Sequence, residues 1–349
     1  MIEVSELKPG EEEAWDSFLA GRRGALVYHC CRYRNLLVDH LGCRAEYLVA
    51  REGGEVRGVL PIMWSGEGKV AICNSLPYYG SHGGPIAADE QAERALVGAW
   101  DERAGDAGTA AATMVANPFL DHEPPEPLHG LTDERICQVT LLPEGAGREE
   151  IMGLIRPEAR RNVRKAKRLG VSVEHRNDAL AEVNEVHQEN MRAIGGLAKS
   201  EEFFASLPRH LRAGEDFDIW IARLGGELVA ALLVLSFNGT VEYFTSGTRV
   251  EHRDSNPHGL LLLEALTHAA GRGDRLWNWG GTWHGQVGVY RFKRKWGASE
   301  GRYRYYVQVN DEGLLDAAPE QLLERFPHFY VAPFSALRSA EPAEPGGTA

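Results

Sequence analysis

The sequence contains little cysteine, and its cysteines are not arranged to cross-link or to bind metal. Five cysteines occur in 349 residues, at positions 30, 31, 43, 73 and 137, and no two of them form a CxxC pair. An odd number at this spacing matches neither a disulfide framework nor a zinc-binding module. We therefore predict reduced structural thiols and no metal site.

Long apolar segments are also absent. Runs such as Leu228 to Leu235 have the length of a strand, well short of the about 18 residues that a membrane-spanning helix needs. The first residues, Met1 to Glu6, lack the basic start and the apolar core of a signal peptide. These features predict a cytoplasmic protein with no membrane span.

Basic residues are in the minority, with 38 Lys and Arg against 50 Asp and Glu and a formal net charge of −12. This balance argues against nucleic-acid binding through the net field of the protein, but it leaves a local basic groove open.

Three widespread site motifs are missing. The sequence has no GxxxxGK[ST] phosphate loop, no GxGxxG after a strand and no GxSxG nucleophile turn, which argues against P-loop, dinucleotide-binding and serine hydrolase sites. A glycine-rich loop does occur at residues 77–85, where Tyr78, Tyr79 and His82 lie among several glycines. Such a loop is consistent with a structural turn or with backbone that approaches a ligand, and the sequence does not separate the two.

The length of the chain suits two domains, and an internal repeat supports them. Residues 49–55 (VAREGGE) align with residues 221–227 (IARLGGE) at a constant offset of 172. In both halves a three-stranded meander is followed by a helix and a further strand, which is the element order of a GNAT-type acetyltransferase domain. We predict an α/β fold made by tandem duplication of GNAT-like (acyl-CoA N-acyltransferase) domains, each a mixed, mainly antiparallel sheet flanked by helices.

The domain boundaries follow from composition. The two domains are predicted at 1–145 and 146–312, and the proline-rich, acidic region 120–147 is predicted to connect them. Residues 313–338 have a helical pattern and are predicted to pack back on the body. Residues 339–349, rich in Pro, Gly and Glu, are predicted to be a disordered tail.

A helix predicted to begin at Pro157 carries the densest positive charge of this acidic protein. Its arginines recur every four residues and form one stripe, while small apolar residues face the core. The stripe consists of Arg156, Arg160, Arg164 and Arg168. Like charges at this spacing are destabilising, so the pattern favours a surface that meets a polyanion, either a diphosphate or a nucleic-acid backbone, over a merely solvated face.

The stretch from Gly288 to Gly297 combines aromatic rings with cations. It follows residues 277–281 (WNWGG), which predict a short strand that ends in a glycine turn. Rings supply stacking area and cations neutralise developing negative charge, so the combination is typical of a ligand site. A basic loop closed by a core tryptophan is the alternative that composition leaves open.

These motifs together resemble the FemAB/FemX-like group, also described as BioF2-like acetyltransferase domains. The strongest part of the resemblance is the motif Phe292-Lys293-x-x-Trp296-Gly297. The basic run before Gly170, the strand–turn–strand from Ile221 to Leu235, the Trp279-Gly280-Gly281 turn and the loop 76–84 resemble the same group. The resemblance covers residues 25 to 310.

The resemblance implies a non-ribosomal aminoacyl- or peptidyltransferase with no tightly bound cofactor. Its donor would be aminoacyl-tRNA, and its acceptor an amine of a cell-wall (peptidoglycan) precursor or of a related peptide or nucleotide-sugar. The motif lysine of that group lies at the donor and acceptor channel, which assigns catalysis to Lys293 with Phe292; a fixed cation there can stabilise the oxyanion formed when an amine attacks an ester. The predicted substrate-binding residues are Tyr78, Tyr79, His82, Arg160, Arg164, Arg168, Tyr243, Trp279, Trp283, Tyr290 and Arg291.

Two other functions remain open. One is an acyl-CoA-dependent GNAT N-acyltransferase in polysaccharide or natural-product biosynthesis. GNAT enzymes hold the CoA pyrophosphate with a Q/R-x-x-G-x-G/A loop at the start of their long helix, and the corresponding residues 256–261 (NPHGLL) do not fit that pattern. The other is a non-catalytic module that binds a phosphorylated ligand or RNA.

Overall fold

The computed structural model describes residues 1–77, 79–125, 128 and 130–338. The predicted site residue Tyr78 and the predicted tail 339–349 lie outside the described residues. The described residues form two compact units: unit 1 contains Met1–Ile136 together with residues 301–338, and unit 2 is Cys137–Glu300. Within the described residues, no helix has both the length and the apolar character needed to span a membrane.

The first part of the chain contains most of unit 1. Its elements are β1 (Glu3–Glu6), α1 (Glu12–Leu19), α2 (Cys31–Leu41), β2 (Arg44–Ala45), β3 (Leu48–Glu52), β4 (Glu55–Leu60), β5 (Met63–Ser65), β6 (Ala71–Asn74), β7 (Ile86–Ala87), α3 (Glu90–Ala104), β8 (Thr109–Val115) and β9 (Leu131–Leu141).

The second part of the chain contains unit 2 and then returns to unit 1. Its elements are α4 (Arg148–Leu154), α5 (Pro157–Arg168), β10 (Ser172–His175), α6 (Leu180–Ile194), α7 (Glu201–His210), β11 (Phe217–Leu224), β12 (Glu227–Phe237), β13 (Thr240–Thr248), α8 (Pro257–Arg272), β14 (Leu276–Thr282), α9 (Val287–Lys295), β15 (Ser299–Val309) and α10 (Pro319–Arg325).

The repeat seen in the sequence extends to the geometry of the two hairpins. Glu52 pairs with Glu55 at the β3–β4 turn, and Leu224 pairs with Glu227 at the β11–β12 turn. Both hairpins also shift register at the same place, after Ala50 in one and after Ala222 in the other. A bulge increases local twist and bends its strand, so its presence at equivalent positions gives the two hairpins the same local shape.

Unit 2 has the predicted antiparallel meander. Strands β10, β11, β12 and β13 pair antiparallel in that order, and β14 pairs parallel with β13 after the crossover helix α8. Strand β12 is apolar along nearly its whole length because both its faces are covered: it is buried from Leu228 to Ser236, and helices α6 and α8 contact it. Helix α5 packs on α8 through Ala159, Val163 and Ala166, which confirms the core face predicted for it.

Unit 1 departs from the predicted meander. Residues 56–64 do not form one strand but break at Pro61 into β4 and β5, because proline has no backbone N–H for a strand ladder. Strand β4 stays in a sheet of order β1-β3-β4-β7, whereas β5 pairs with β6, which lies parallel to β8. The prediction of a continuous three-stranded meander is therefore wrong for this half.

Two other local predictions also differ from the structure. The predicted connection 120–147 contains the eleven-residue strand β9, whose residues follow the proline-rich part. The predicted helical segment 313–338 contains one short α-helix, α10, between single turns of 3-10 helix. In that segment Tyr330 N donates to Asn74 Oδ1 at 2.7 Å within unit 1, so at this residue a side-chain oxygen takes the place of a helical carbonyl acceptor.

Candidate functional site

The stretch from Gly288 to Gly297, for which the sequence left a basic loop open as the alternative to a ligand site, folds largely as helix α9 of unit 2. Burial does not follow hydropathy throughout this helix, because Val287 and Val289 are exposed while Lys293 is only 4% exposed. Lysine is rarely buried to this degree without a specific set of partners. The motif glycine, Gly297, has φ +77°, and a Cβ at this position would lie 3.0 Å from Leu154 O. Glycine is therefore required here by the backbone conformation and the packing, not by the chemistry of the site.

The partners of Lys293 are three oxygen atoms at the end of β14. Lys293 Nζ donates to Thr282 Oγ1 at 2.8 Å, to Gly281 O at 3.1 Å and to Gly280 O at 3.3 Å. An ammonium group has three N–H donors, so each donor has an acceptor. The glycine turn after Trp279 is therefore a binding site for the lysine head group.

A second layer holds this arrangement in place. Thr282 Oγ1 donates to Gln138 Oε1 at 3.0 Å, and Gln138 Nε2 donates to Tyr290 O at 3.2 Å. Strand β9 is thereby tied to both β14 and α9. Because Thr282 uses its hydrogen on Gln138, its oxygen presents a lone pair to the lysine.

Burial shifts the protonation of the lysine toward neutral pH. Desolvation lowers the pKa of Lys293 to about 8, from an ordinary value of 10.5. At pH 7 the group is therefore still mainly protonated. Unit 2 thus holds a fixed, water-shielded cation whose charge can change just above neutral pH.

Aromatic rings form a wall around Phe292, which precedes Lys293 in α9. Phe292 lies with its ring centroid 6.0 Å from that of Trp279 and 5.8 Å from that of His258. Trp279 is 2% exposed and its Nε1 donates to Thr140 Oγ1 at 2.9 Å, so in this structure the ring belongs to the core. Tyr243 packs on Trp279 at 5.1 Å.

Tyr243 and His258 form a polar pair in this wall. The Tyr243 hydroxyl lies 2.9 Å from His258 Nε2 and also hydrogen-bonds Ser246. Burial raises the pKa of Tyr243 to about 12 and lowers the pKa of His258 to about 4, so both groups are neutral at pH 7. The wall therefore supplies hydrogen-bonding groups without adding charge.

A small cavity of about 200 Å³ opens at the start of α8. Phe292 and His258 line it, together with Arg253, Asn256 and Lys295. A helix N-terminus attracts anions through its free N–H groups and its dipole. Here the first helical residue is Pro257, which has no N–H to offer, so the cavity has fewer backbone donors than a glycine-rich helix start.

A shallow depression of about 400 Å³ lies where the start of α5 meets α9, and Arg156 N donates to Lys295 O at 2.8 Å there. Arg156, Arg291 and Arg294 line the depression together with Tyr290, whose hydroxyl hydrogen-bonds Glu300. Among the described residues these three arginines make no ion pair. Glu158 also lines the depression, but the arginines together with Lys295 leave an excess of positive charge there. Such an excess is typical of a surface that binds an anion.

The arginine stripe on α5 divides into two parts. Arg160 donates Nε to Ile155 O at 2.8 Å and Nη2 to Gly153 O at 2.9 Å, which satisfies carbonyl groups at the end of α4. Arg164 and Arg168 are exposed, and no side chain of the described ranges forms an ion pair with them. Trp283, just after β14, is 40% exposed and leaves an aromatic surface at the rim of the site.

The predicted residues of the glycine-rich loop lie in unit 1. Tyr79 is 3% exposed, and its hydroxyl lies 3.0 Å from His40 Nε2. His82 is fully buried between the rings of Phe119 and Tyr303, with centroids 5.3 and 4.5 Å away. Both side chains are packed in unit 1 in this structure, so their predicted contact with substrate stays a prediction.

Two groups of described side chains in unit 2 have the composition of a metal site: the exposed or partly exposed group Glu227, Glu251 and His252, and a group with a buried carboxylate. His175, Asp218 and His268 place one ligand atom each within 4.8 Å of one another. The Asp218 carboxylate, however, already accepts from His175 Nε2 and from Arg272 Nη1, each at 2.8 Å. The guanidinium neutralises the carboxylate and opposes a second cation, so this group is explained as an ion-pair network.

Sequence reasoning did not select Gln138, Thr282 or His258. Gln138 and Thr282 are far apart in sequence and belong to different strands, so only the fold brings them to Lys293. The sequence places His258 after Asn256-Pro257 at a helix start, but nothing in the sequence indicates its contact with Tyr243.

Comparisons with known proteins agree with this fold. Residues 155–294 match the family model of the acetyltransferase (GNAT) domain, and no curated protein matches the sequence. The chain is similar in structure to FemX, with a TM-score of 0.67, 14% identity, and coverage of 92% of this chain and 100% of that chain.

Two further solved structures are similar over most of the chain. A tandem GNAT protein from the clavulanic acid biosynthesis pathway has a TM-score of 0.53 at 13% identity, and the match covers 88% of this chain and 98% of that chain. L-PGS from Bacillus licheniformis has a TM-score of 0.52 at 13% identity, with coverage of 92% and 96%. The chain therefore has the predicted tandem GNAT fold, with FemX and a tandem GNAT protein among the similar structures. Its residues 155–294 match an acetyltransferase (GNAT) domain, which supports an acyltransferase.

Proposed function

We propose that the protein is an N-acyltransferase that forms an amide bond on a primary amine, with aminoacyl-tRNA as the donor and a cell-wall precursor or related peptide or amino-sugar as the acceptor. The observation that carries the proposal is Lys293, a buried ammonium group fixed by three oxygen atoms beside Phe292. A preorganised cation in a water-shielded site stabilises charge that develops during a reaction.

The reaction needs such a cation at one step. An amine attacks the ester carbonyl, the new C–N bond forms, and negative charge collects on the carbonyl oxygen; the ester C–O bond then breaks and the amine proton ends on the leaving hydroxyl. The bond from Lys293 Nζ to Gly280 O, at 3.3 Å, is the longest of the three and the one most readily exchanged for an oxyanion. Gly281 and Thr282 keep the ammonium in place meanwhile.

The tRNA part of the proposal is supported by the basic surface of unit 2. Arg164 and Arg168 on α5 and the arginines of the depression beside α9 lie on one structural unit, and none of them forms an ion pair among the described residues, although Glu158 also lines the depression. A polynucleotide backbone presents many phosphates and gains affinity from each neutralised one. This local charge works against the acidic net charge of the chain.

A second donor, acyl-CoA, is favoured by a different observation. The cavity at the start of α8 is where a GNAT domain holds a pyrophosphate, and Arg253 and Lys295 line it. Pro257 at the first helical position and the small volume of about 200 Å³ count against it. In this alternative the amide chemistry at Lys293 is unchanged and only the carrier of the acyl group differs.

A donor assay distinguishes these functions. Purified protein is incubated with primary amines and cell-wall precursors in the presence of either labelled aminoacyl-tRNA or labelled acetyl-CoA. Transfer that RNase abolishes supports the first donor, and transfer from acetyl-CoA alone supports the second. Absence of transfer from both, together with salt-sensitive tRNA binding, would instead identify a binding module.

A further inference from the structure

Gln138, in strand β9, is a fully buried polar side chain of unit 2. Its amide reaches two other elements of the site: Nε2 donates to Tyr290 O in α9 at 3.2 Å, and Oε1 accepts from the Thr282 hydroxyl, at the end of β14, at 3.0 Å. Lys293, three residues after Tyr290 in α9, donates to the same Thr282 oxygen at 2.8 Å. The hydrogen bonds therefore form a chain that starts and ends in α9.

The direction of this chain is fixed at one end. A backbone carbonyl oxygen only accepts, so the group that faces Tyr290 O must be the NH2 of Gln138, and the carbonyl oxygen of Gln138 must face Thr282. That carbonyl oxygen also only accepts, so the Thr282 hydroxyl has to give it its hydrogen. The Thr282 oxygen then presents lone pairs, and no hydrogen, to Lys293.

This direction favours one protonation state of Lys293. An ammonium group has three N–H donors, and three acceptors receive them: Gly280 O, Gly281 O and Thr282 Oγ1. A neutral amine has two N–H donors, which satisfy two of the acceptors, and a lone pair, which then faces the lone pairs of the third. The neutral amine therefore lacks one partner, and a buried polar group without a partner is costly.

The titratable groups near Lys293 do not add a charge that would hold its proton. Burial, with a smaller contribution from Glu242 in β13, raises the pKa of the neighbouring Cys137 thiol to about 12, so the thiol is neutral where the lysine titrates. His258 of α8 is neutral as well, because burial lowers its pKa to about 4. Strand β14 has no titratable side chain. Charged groups of α5 and α9 line the open depression beside α9: Arg156, Glu158, Arg291, Arg294 and Lys295.

We propose that Gln138 is a positioning residue that holds Lys293 in its ammonium form, because Gln138 binds the hydrogen of the Thr282 hydroxyl and so keeps the Thr282 oxygen as an acceptor. The inference rests on the proposed function in one respect, that the protonated lysine is the form that stabilises the oxyanion. Without Gln138, the Thr282 hydroxyl is free to turn and to donate to the lone pair of a neutral amine. Lys293 then loses its proton at a lower pH.

The test follows the protonation of Lys293 in the full chain by NMR, with lysine isotopically labelled at Cε. The chain has seven lysines, and Lys293→Met assigns the resonance by removing it. In the wild type the resonance should titrate with a midpoint at the pKa of about 8. Gln138→Met keeps the length of the side chain and removes its amide. We expect this variant to lower the midpoint by at least about one pH unit, which is a tenfold change in proton affinity.

Thr140→Val is the matched control. Thr140 is buried in β9 like Gln138 and makes similar links, since its Oγ1 accepts from Trp279 Nε1 in β14 at 2.9 Å and donates to Trp296 O, just after α9, at 3.0 Å. Loss of this hydroxyl should lower the free energy of unfolding without moving the Lys293 midpoint. A side chain that only supports the packing of β9 would behave in the same way.

Gln138→Glu keeps the question decidable if Gln138→Met does not fold. In either protonation state the new carboxyl leaves an oxygen for the Thr282 hydroxyl, so the Lys293 midpoint should lie at or above that of the wild type. Three results would overturn the proposal: an unchanged midpoint in Gln138→Met, an equal fall in Gln138→Met and Thr140→Val, or a lower midpoint in Gln138→Glu. The titration needs neither donor nor acceptor, so a failure of this inference is distinguishable from a failure of the transfer reaction.

Discussion

The buried ammonium of Lys293 should make the stability of the protein depend on pH in a predictable way. The perturbation is Lys293→Met, which replaces the ammonium by an apolar chain of similar length. The wild type must keep a cation in a site where its pKa is about 8 instead of the ordinary 10.5. At 1.36 kcal/mol per pKa unit this difference corresponds to about 3 kcal/mol.

The sign follows from proton binding. Below about pH 8 the lysine is protonated in both the folded and the unfolded chain, and the wild type carries the full cost of the buried charge. Between about pH 8 and pH 10.5 the folded protein has lost the proton while the unfolded chain still holds it, so the free energy of unfolding rises with pH. The methionine variant has no proton to lose, and all other titrating groups are common to both proteins.

The assay is urea unfolding of the wild type and Lys293→Met, followed by tryptophan fluorescence at several pH values. The free energy of unfolding of the wild type minus that of the variant should rise by up to about 3 kcal/mol from pH 7 to pH 10.5. A difference that does not change with pH would show that Lys293 has an ordinary pKa. In that case the water-shielded cation described above would not exist.

Three further predictions test other parts of the structure. Charge reversal of Arg164 and Arg168 should weaken tRNA binding and lower the slope of log affinity against log salt by about one per lost phosphate contact, whereas Lys8→Glu in unit 1 should not. Tyr243→Phe removes the partner of His258 Nε2 and should lower the free energy of unfolding by about 1–3 kcal/mol in urea titrations. Trp279→Ala should lower the free energy of unfolding by about 3–5 kcal/mol because that ring is buried. Trp283→Ala at the exposed rim should change the free energy of unfolding by less than about 0.5 kcal/mol. Equal effects of the two substitutions would contradict the assignment of Trp279 to the core.

Much of the fold could be predicted because its signals are local. Helix α5 follows from Pro157 and from the spacing of Ala159, Val163 and Ala166, and the two equivalent hairpins follow from their repeated glycine turns. Strand β9 was not predicted because its residues come directly after a proline-rich, acidic segment, and the composition of that segment hides the strand pattern. The break at Pro61 shows the opposite case, in which one residue redirects a strand that composition favours.

The candidate site was predictable only in part, because burial and long-range contacts decide it. The motif identified Phe292 and Lys293, but a lysine in a sequence is ordinarily expected to be exposed. The acceptors of Lys293, at Gly280, Gly281 and Thr282, are backbone and hydroxyl oxygens, which composition does not reveal. The spacing of the arginines was enough to predict the stripe on α5. It could not predict that Arg160 donates to carbonyl groups at the end of α4, because those hydrogen bonds depend on how α4 and α5 meet.

The central claim is that Lys293 takes part in amide formation, and the donor assay with Lys293→Met tests it most directly. Lys8→Met serves as the control for loss of a lysine charge elsewhere, and circular dichroism verifies that both variants are folded. We predict RNase-sensitive transfer from aminoacyl-tRNA to a primary amine, lowered at least about tenfold in Lys293→Met and unchanged in Lys8→Met. Equal transfer by folded Lys293→Met, or no transfer by the wild type from either donor, would contradict the account.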